Sequence, residues 1–262
     1  MLIGKAGTAK SAIATASPAA IEVRGRDLVN DLMGRVSFSA YFYLLVTGRE
    51  PTEVQLFFLD LLLVTIAEHG LTPSAVASRM TLAATPDSIQ GAVAAGLLGA
   101  GPIILGSAEP SAAIIVDVRR RMKEGAALDA AARAVAVEIH TRGERMPGFG
   151  HPLHKPVDPR AERILALAAE RKAAGEAVAI ARALSPIVAE IWGRPLPMNV
   201  SMAIAAVLLD LDFPSSMVKA VPILARTAGL LAHVAEEQER PIGFRMAAAA
   251  EEAIEYDGGK RS

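Results

Sequence analysis

The chain has no cysteine among its 262 residues, which removes disulfides, thiolate zinc sites and cysteine nucleophiles together. A reducing cytoplasm is the compartment that such a composition fits. Neither sign of charge is in excess: 27 basic against 28 acidic residues leave a formal net charge of −1. No nucleic-acid face and no attraction to anionic membranes is therefore expected, and the partner should be a small molecule. A Gly-rich P-loop and a GxSxG elbow are both missing, so phosphoryl transfer and serine hydrolysis lose their usual anchors. The N-terminal MLIGKAGTAKSAIATASPAA lacks the continuous apolar centre of a secretory signal and reads as an irregular arm. No charge occurs from Ser88 to Ala108, a run formally long enough to span a bilayer. Gly91, Gly96, Gly99, Gly101, Gly106 and Pro102 interrupt it, which predicts a buried helix followed by a loop.

What the sequence does hold is helix. Hydrophobic residues make up 52% and recur at helical spacing almost everywhere, while the alternation that marks strands is nearly absent. The fold class is expected to be all-α, with a core large enough to need no staples. Ser37 precedes one helix and Pro51-Thr52 another, and a third runs from Leu128 to Arg142 into Gly143. Asp158 reads as an N-cap with Pro159 at the first helical position and Gly175 at the far end. Further helices are expected at Ser185–Trp192, Ser201–Leu211, Ser215–Glu237 and Met246–Tyr256. The densest loop signal is RGERMPGFGHPLHKPVDPR, residues 142 to 160, with four prolines, three glycines and two of the five histidines.

That loop carries the chemistry-bearing residues. His151 follows Gly148-Phe149-Gly150, where backbone can lie close to a ligand, and the flanking prolines stiffen the segment. Arg160 falls in the first turn of the next helix, so its guanidinium and the free N–H groups can face a carboxylate or phosphate together. The residues alone leave a plainer alternative open, in which His151 bonds a backbone carbonyl and Arg160 pairs with a surface acid. His151 and His154 are three apart, and His69 or His140 could join them around a metal. Pro152 argues against one helix face presenting both, and no carboxylate completes a ligand set, so no metal is expected.

The stretch PGFGHPLHKPVDPRA, residues 147 to 161, resembles the histidine motif of citrate synthases in which Gly-His leads to Asp-Pro-Arg. VRGRDLVNDLMGRVSFSAYFYLLVTGREPTEVQ (23 to 55), AEHG (67 to 70), AAGLLGAGPIILGSAEPSA (94 to 112) and ARTAGLLAHVAEEQERP (225 to 241) resemble further segments of that family, in order. The resemblance implies an all-α, citrate synthase-like fold: a large helical domain from 1–105 and 206–262, and a smaller helical lid domain at 106–205 that closes over a site between them. It places His69, His151, Arg160 and Arg226 where the family binds and polarises oxaloacetate or citrate. Pro147, Gly148, Phe149, Gly150 and Lys155 fall on the loop that contacts coenzyme A, which would enter as part of the substrate. Arg240 resembles the arginine that the family lends across a homodimer, with Arg245 competing at a similar local spacing. For His233 the plain reading of a structural ion pair is kept.

Two departures bear on the reaction. GPIILGSA puts Ile104 or Leu105 where citrate synthases have a histidine, and PMNVSMAIAAVLLDLDFP puts Ser201 where they have an aspartate. The usual donor to the thioester carbonyl and the usual base for the acetyl-CoA methyl are both replaced, while Asp210 and Asp212 lie too far along to substitute and should cap or face solvent. The short chain resembles the citryl-CoA lyase module of ATP-citrate lyases, whose loop also lacks that histidine, though the module keeps the aspartate. The expected activity is therefore cleavage of a citryl-CoA-like thioester to acetyl-CoA and oxaloacetate. His151 is the expected base at the hydroxyl, and Ser201, water or backbone N–H groups would serve the enolate. The alternatives are condensation in the synthase direction and a non-catalytic paralogue that binds CoA and a polycarboxylate.

Overall fold

The computed structural model describes residues 9–101, 105 and 107–258. Eleven α-helices occur among them, so the all-α expectation holds for the body of the chain. A small sheet precedes them. Strands β1 (Ala14–Ala16), β2 (Ile21–Val23) and β3 (Arg26–Asp27) form an antiparallel ribbon in which Ala14 faces Val23 and Val23 faces Arg26. The arm read as irregular thus contains a strand from Ala14 to Ala16. Its alanines and threonine show no apolar alternation, and the signals that set it are the turns. Ser17 Oγ accepts the amides of Ala19 and Ala20 at one end. Arg24 and Gly25, both at positive φ (53° and 77°), make the two-residue turn between β2 and β3.

The chain divides within helix α2, between Asp60 and Leu61, into two compact units. In the first, a π-helical turn (Leu28–Leu32) capped by Asp27 leads to α1 (Phe38–Thr47). Val23, Leu32 and Leu44 form its small core. Ser37 Oγ accepts from the Ala40 amide, and Gly48 ends α1 in the left-handed conformation, as the sequence predicts. Thr52 and Gln55 cap α2 (Glu53–Ala67) reciprocally, each side chain bonded to the other's amide.

The second unit carries α3 (Pro73–Ala84), α4 (Ile89–Leu98), α5 (Ala108–Lys123), α6 (Leu128–Thr141), α7 (Pro159–Glu170), α8 (Glu176–Ile191), α9 (Val200–Asp210), α10 (Ala220–Glu239) and α11 (Gly243–Ala253). A 3-10 turn at Ser215–Met217 precedes α10. Helices α3, α4, α10 and α11 pack among themselves, and α5 to α9 do likewise. Helix α9 is apolar nearly all round and buried along its length, so it forms the centre of the second group. Among the described residues, the uncharged run beginning at Ser88 contains the ten-residue α4, too short to cross a membrane. The stretch Ser215–Glu239 is long and apolar enough for that, but nearly half of it is buried in the fold and it carries ion-paired Glu236 and Glu237. It is a core helix.

The last helix runs over Gly243–Ala253 and not Met246–Tyr256, and the one expected from Ser215 starts its α-helical part at Ala220. The boundaries of α7 and α8 also differ from the sequence reading, for one reason. Helix α7 stops at Glu170, because Lys172 takes a positive φ of 56°, and Gly175 begins α8 instead of ending α7. Helix α8 therefore starts well before Ser185 and runs through Pro186, held there by buried Leu184, Ile187 and Val188. The N-cap function comes from a distance. Asp210, at the end of α9, accepts the amides of Gly175, Ala177 and Val178 at 2.7, 2.8 and 3.0 Å and binds Arg119 at 2.8 Å. Replacing this buried carboxylate by Asp210→Ala should lower the unfolding free energy by about 3–5 kcal/mol, because Arg119 and three amides lose their acceptor. Denaturant titration measures it; a loss below about 1 kcal/mol would show that α8 does not depend on this cap.

Candidate active site

Helix α2 ends at Ala67, and the chain turns through Glu68, His69 and Gly70. Glu68 Oε1 accepts the amides of His69 and Gly70 at 2.8 and 2.6 Å, which folds the turn around its own carboxylate. The 142–160 loop brings two more imidazoles to this turn. The His69 ring lies 5.9 Å from that of His151 and 5.6 Å from that of His154, and His151 and His154 stack at 4.3 Å. His140 is elsewhere, edge-on to Trp192 at 4.9 Å. His154, which sequence spacing offered only as a metal ligand, thus belongs to the cluster, and its buried Nε2 has no hydrogen-bond partner among the described residues.

The tautomer of His151 follows from its neighbours. Its Nδ1 accepts the amides of Leu153 and His154 at 3.1 and 3.0 Å, so the neutral ring carries its proton on Nε2. Nε2 then lies 3.4 Å from Arg160 Nη2, a second donor. Two donors side by side are satisfied by one acceptor oxygen placed between them. Burial lowers the pKa of His151 from the ordinary 6.5, helped by His154 and Arg160. Burial of the ring, then Arg160, His154 and Arg226, lower that of His69 in the same way, although His69 as a residue is exposed. Both rings are neutral at pH 7.

Asp158 sets the position of Arg160. It is fully buried, and its oxygens bind Arg160 Nε at 3.0 Å and Nη2 at 2.9 Å while capping α7 through the Arg160 amide. Burial acts to raise its pKa, but the bonds and charge of Arg160 and the Arg160 and Val200 amides outweigh that and hold it below the usual 3.8. Arg226 is the opposite case. It is buried on α10, yet its Nε and Nη1 have no partner among the described residues. Burial pulls its pKa below the ordinary arginine value against the attraction of Glu68. An unpaired guanidinium in such surroundings calls for an anion.

The ring nitrogens of His69, His151 and His154 come within 4.8 Å of one another, a spacing that a metal ion could use. The donor set does not suit one. With Nδ1 of His151 occupied by amides, its Nε2 carries hydrogen and offers no lone pair, and the charges of Arg160 and Arg226 act on the same space. The chemistry favours an anion with an additional neutral oxygen.

The loop below His151 is fixed by close approach. Gly148 and Gly150 take φ of +80° and +83°, and a Cβ on Gly148 would lie 2.7 Å from both Met202 Cβ and Ser111 Oγ. The amides of Gly148, Phe149 and Gly150 bind Ser107 Oγ and the carbonyls of Met146 and Pro197. Asn199 returns two bonds, to the carbonyls of Gly148 and Gly150, so the loop is laced to the start of α9. Ser201 lies in the first turn of that helix, partly exposed. Pro147, Gly148, Phe149 and Gly150 therefore have no free amide among them, and Lys155 is exposed beside them. Leu105 is buried and apolar, while Ile104 lies outside the described residues. Arg240 ends α10 and Arg245 lies on α11, both exposed.

An all-helical protein with neutral imidazoles and two guanidiniums facing one space is built for a polar, carboxylate-bearing ligand. The profile of the citrate synthase C-terminal domain matches residues 5–246, and the chain belongs to the citrate synthase family. It is 33% identical over 195 residues to putative citrate synthase 2 of Mycobacterium bovis, covering 72% of this chain and 49% of that protein. It is 28% identical over 208 residues to the citrate synthase of Haloferax volcanii, covering 78% and 52%. The chain thus spans about half the length of these curated relatives. Citryl-CoA lyase from Hydrogenobacter thermophilus superposes with a TM-score of 0.84 at 29% identity, covering 97% of this chain and 96% of the other. ATP citrate lyase from Methanothrix soehngenii, solved with citrate and coenzyme A, shares the fold (TM-score 0.78, 22% identity, 99% and 43% covered).

The unpaired Arg226 gives a test that separates binding from stability. Arg226→Met should stabilise the unliganded protein by about 1–3 kcal/mol, since a desolvated charge is removed, and should abolish binding of a di- or tricarboxylate. A melting temperature below that of the parent protein would show that the guanidinium is compensated in the free state and that this account of the site is wrong.

Proposed function

We propose that the chain cleaves a citryl-CoA-like thioester, a 3-hydroxy-3-carboxyacyl-CoA, to acetyl-CoA and oxaloacetate. The observation that carries this reading is a gathered set of acid-binding groups beside an altered thioester site. His69, His151, Arg160 and Arg226 gather around one space, whereas by the family resemblance Ser201 and Ile104 or Leu105 stand where a synthase's aspartate and histidine are expected. The end-to-end match to a citryl-CoA lyase supports it.

The expected role of His151 changes with its tautomer. With the proton on Nε2 it donates to the substrate's tertiary oxygen beside Arg160, and it does not remove the hydroxyl proton. That proton passes to a neutral imidazole with a free lone pair, and His69 is the exposed member of the cluster. The bond between the carbinol carbon and the thioester α-carbon then breaks, the carbinol becomes the oxo group, and the electron pair leaves as the acetyl-CoA enolate. The enolate takes a proton from water to give acetyl-CoA, and the hydroxide left behind takes the proton held on His69, which returns the imidazole to its neutral form. Ser201 or a water serves the enolate oxygen in this reading. Coenzyme A lies against the Pro147–Gly150 loop with Lys155 at its phosphates.

A second reading, condensation of an acyl-CoA with a 2-oxo acid, is favoured by the curated relatives named citrate synthase. The proposal includes the domain division at 106–205, to which the mutual packing of α5 to α9 corresponds except that α9 runs on to Asp210, and a homodimer in which Arg240 enters the partner's acid site. Sedimentation at micromolar concentration should give a dimer; a monomer would overturn that part.

Incubation with citryl-CoA should release acetyl-CoA and oxaloacetate, and His151→Ala should slow it by about 10²–10³-fold through loss of one oxyanion donor. The His69 and His151 pKa values are lowered, so both rings stay neutral until the pH falls below the ordinary 6.5. The acid limb of kcat/KM should accordingly lie below 6.5, with no loss on going up to pH 8. No turnover at micromolar enzyme, or an acid limb above 6.5, would sink the assignment.

A further inference from the structure

One network touches the acid site without lining it. Arg79 of α3, buried with only 3% of its side chain exposed, binds Glu237 at 2.7 Å and Glu236 at 2.6 Å. Its Nη2 donates to the carbonyl of Arg240 at 3.2 Å, and its Nη1 lies 3.4 Å from His233 Nδ1. Since a guanidinium only donates, Nδ1 of His233 is the acceptor and the ring's proton is on Nε2. Nε2 is 3.1 Å from Glu68 Oε1, the same oxygen that accepts the His69 and Gly70 amides. A continuous chain of donors and acceptors therefore runs from buried Glu237 to the turn that carries His69.

Packing places α10 against this turn with no slack. A Cβ on Gly229 would collide with the Ala67 carbonyl oxygen and lie 3.0 Å from Glu68 Oε2. Arg226, Gly229 and His233 recur at helical spacing, so one face of α10 supplies the anion-seeking guanidinium, the close approach and the tie to Glu68. At the far end, Glu237 Oε1 accepts the amides of Ile242 and Gly243 at 2.9 and 2.6 Å and so sets the turn between α10 and α11.

We propose that His233 and Arg79 are positioning residues of the acid site, holding His69 through Glu68 at one end and the Arg240 turn through Glu237 at the other. His233 is the link between a carboxylate and a guanidinium, because each ring nitrogen meets the partner it requires. The inference deepens the proposed function and rests on it only for the ligand. The tie to the His69 turn is a separate claim.

The test uses the full-length protein and its His233→Leu and His233→Gln variants, with two readouts. Amide hydrogen exchange at His69 and Gly70 should quicken in His233→Leu, while exchange at Gly148–Gly150 stays as in the parent. In His233→Gln, which can both donate to Glu68 and accept from Arg79, protection at His69 and Gly70 should return. Calorimetry with oxaloacetate and citrate should show affinity falling about tenfold or more in His233→Leu, the loss of one charge-assisted bond, and recovering in His233→Gln. In the double variant with His69→Ala, His233→Leu should add little to the loss from His69→Ala alone. Should His233→Leu fail to fold, His233→Ala, which also lacks both ring contacts and leaves Glu68 in place, makes the same comparison. Unchanged exchange at His69 and Gly70 overturns the network. Faster exchange with full affinity overturns the positioning role. If the parent binds neither acid, the functional reading fails, and the exchange result alone still decides whether His233 holds the turn.

Discussion

Asp158 has no exposed surface, and the rest of the site is arranged around that carboxylate. Removing such a charge from water costs several kcal/mol unless it is paired and hydrogen-bonded, so its four donors must arrive together. They come from the first turn of α7 (the Arg160 amide), from the Arg160 side chain twice, and from the Val200 amide that opens α9. The junction of two helix N-termini is thereby fixed, and Asn199 beside it holds the Gly148–Gly150 loop. His151 follows at once in the chain. The placement of His151 thus depends on the Asp158–Arg160 salt bridge behind it.

The two arginines of the acid site divide the electrostatic work. Arg160 is already paired with Asp158 and so is stable without a ligand, and its Nη2, which gives one hydrogen to Asp158, has a second for a ligand oxygen. Arg226 is unpaired and buried, which destabilises the empty protein and makes a carboxylate its best partner. Burial first, and then their charge, lower the pKa of His69, so the same guanidiniums that attract an acid help to leave an imidazole able to accept a proton. A divalent cation would meet repulsion and a protonated Nε2, while an α-hydroxy acid would meet donors at every oxygen.

Local rules made much of this legible in the sequence. Ser37, Asp158, Gly48 and Gly143 mark helix ends because capping depends on residues a few positions apart. The proline- and glycine-rich loop with His151 and Arg160 announced itself by composition. What could not be read depends on distance: Asp210 capping α8, and His233 reaching Glu68 across 165 positions. His154 was weighed only as a metal ligand, since its stacking on His151 depends on how the chain turns at Pro152. The orphan state of Arg226 was also out of reach, because sequence gives the charge and not the missing partner.

In the proposed reading, replacing the synthase's aspartate by Ser201 suits cleavage better than condensation for a reason of proton transfer. Condensation must first take a proton from the methyl of acetyl-CoA, an uphill step that needs a positioned base. Ser201, a hydroxyl at the N-terminal turn of α9, is no such base at pH 7. Cleavage meets the same step in reverse, where a strongly basic enolate is protonated by water without help. A catalyst must serve both directions in the ratio set by equilibrium, so losing the aspartate slows each. It slows them least when the carbon–carbon bond, and not the methyl proton, sets the rate of cleavage. Donors at the tertiary oxygen act on that bond, and these are the groups that the structure retains in His151 and Arg160.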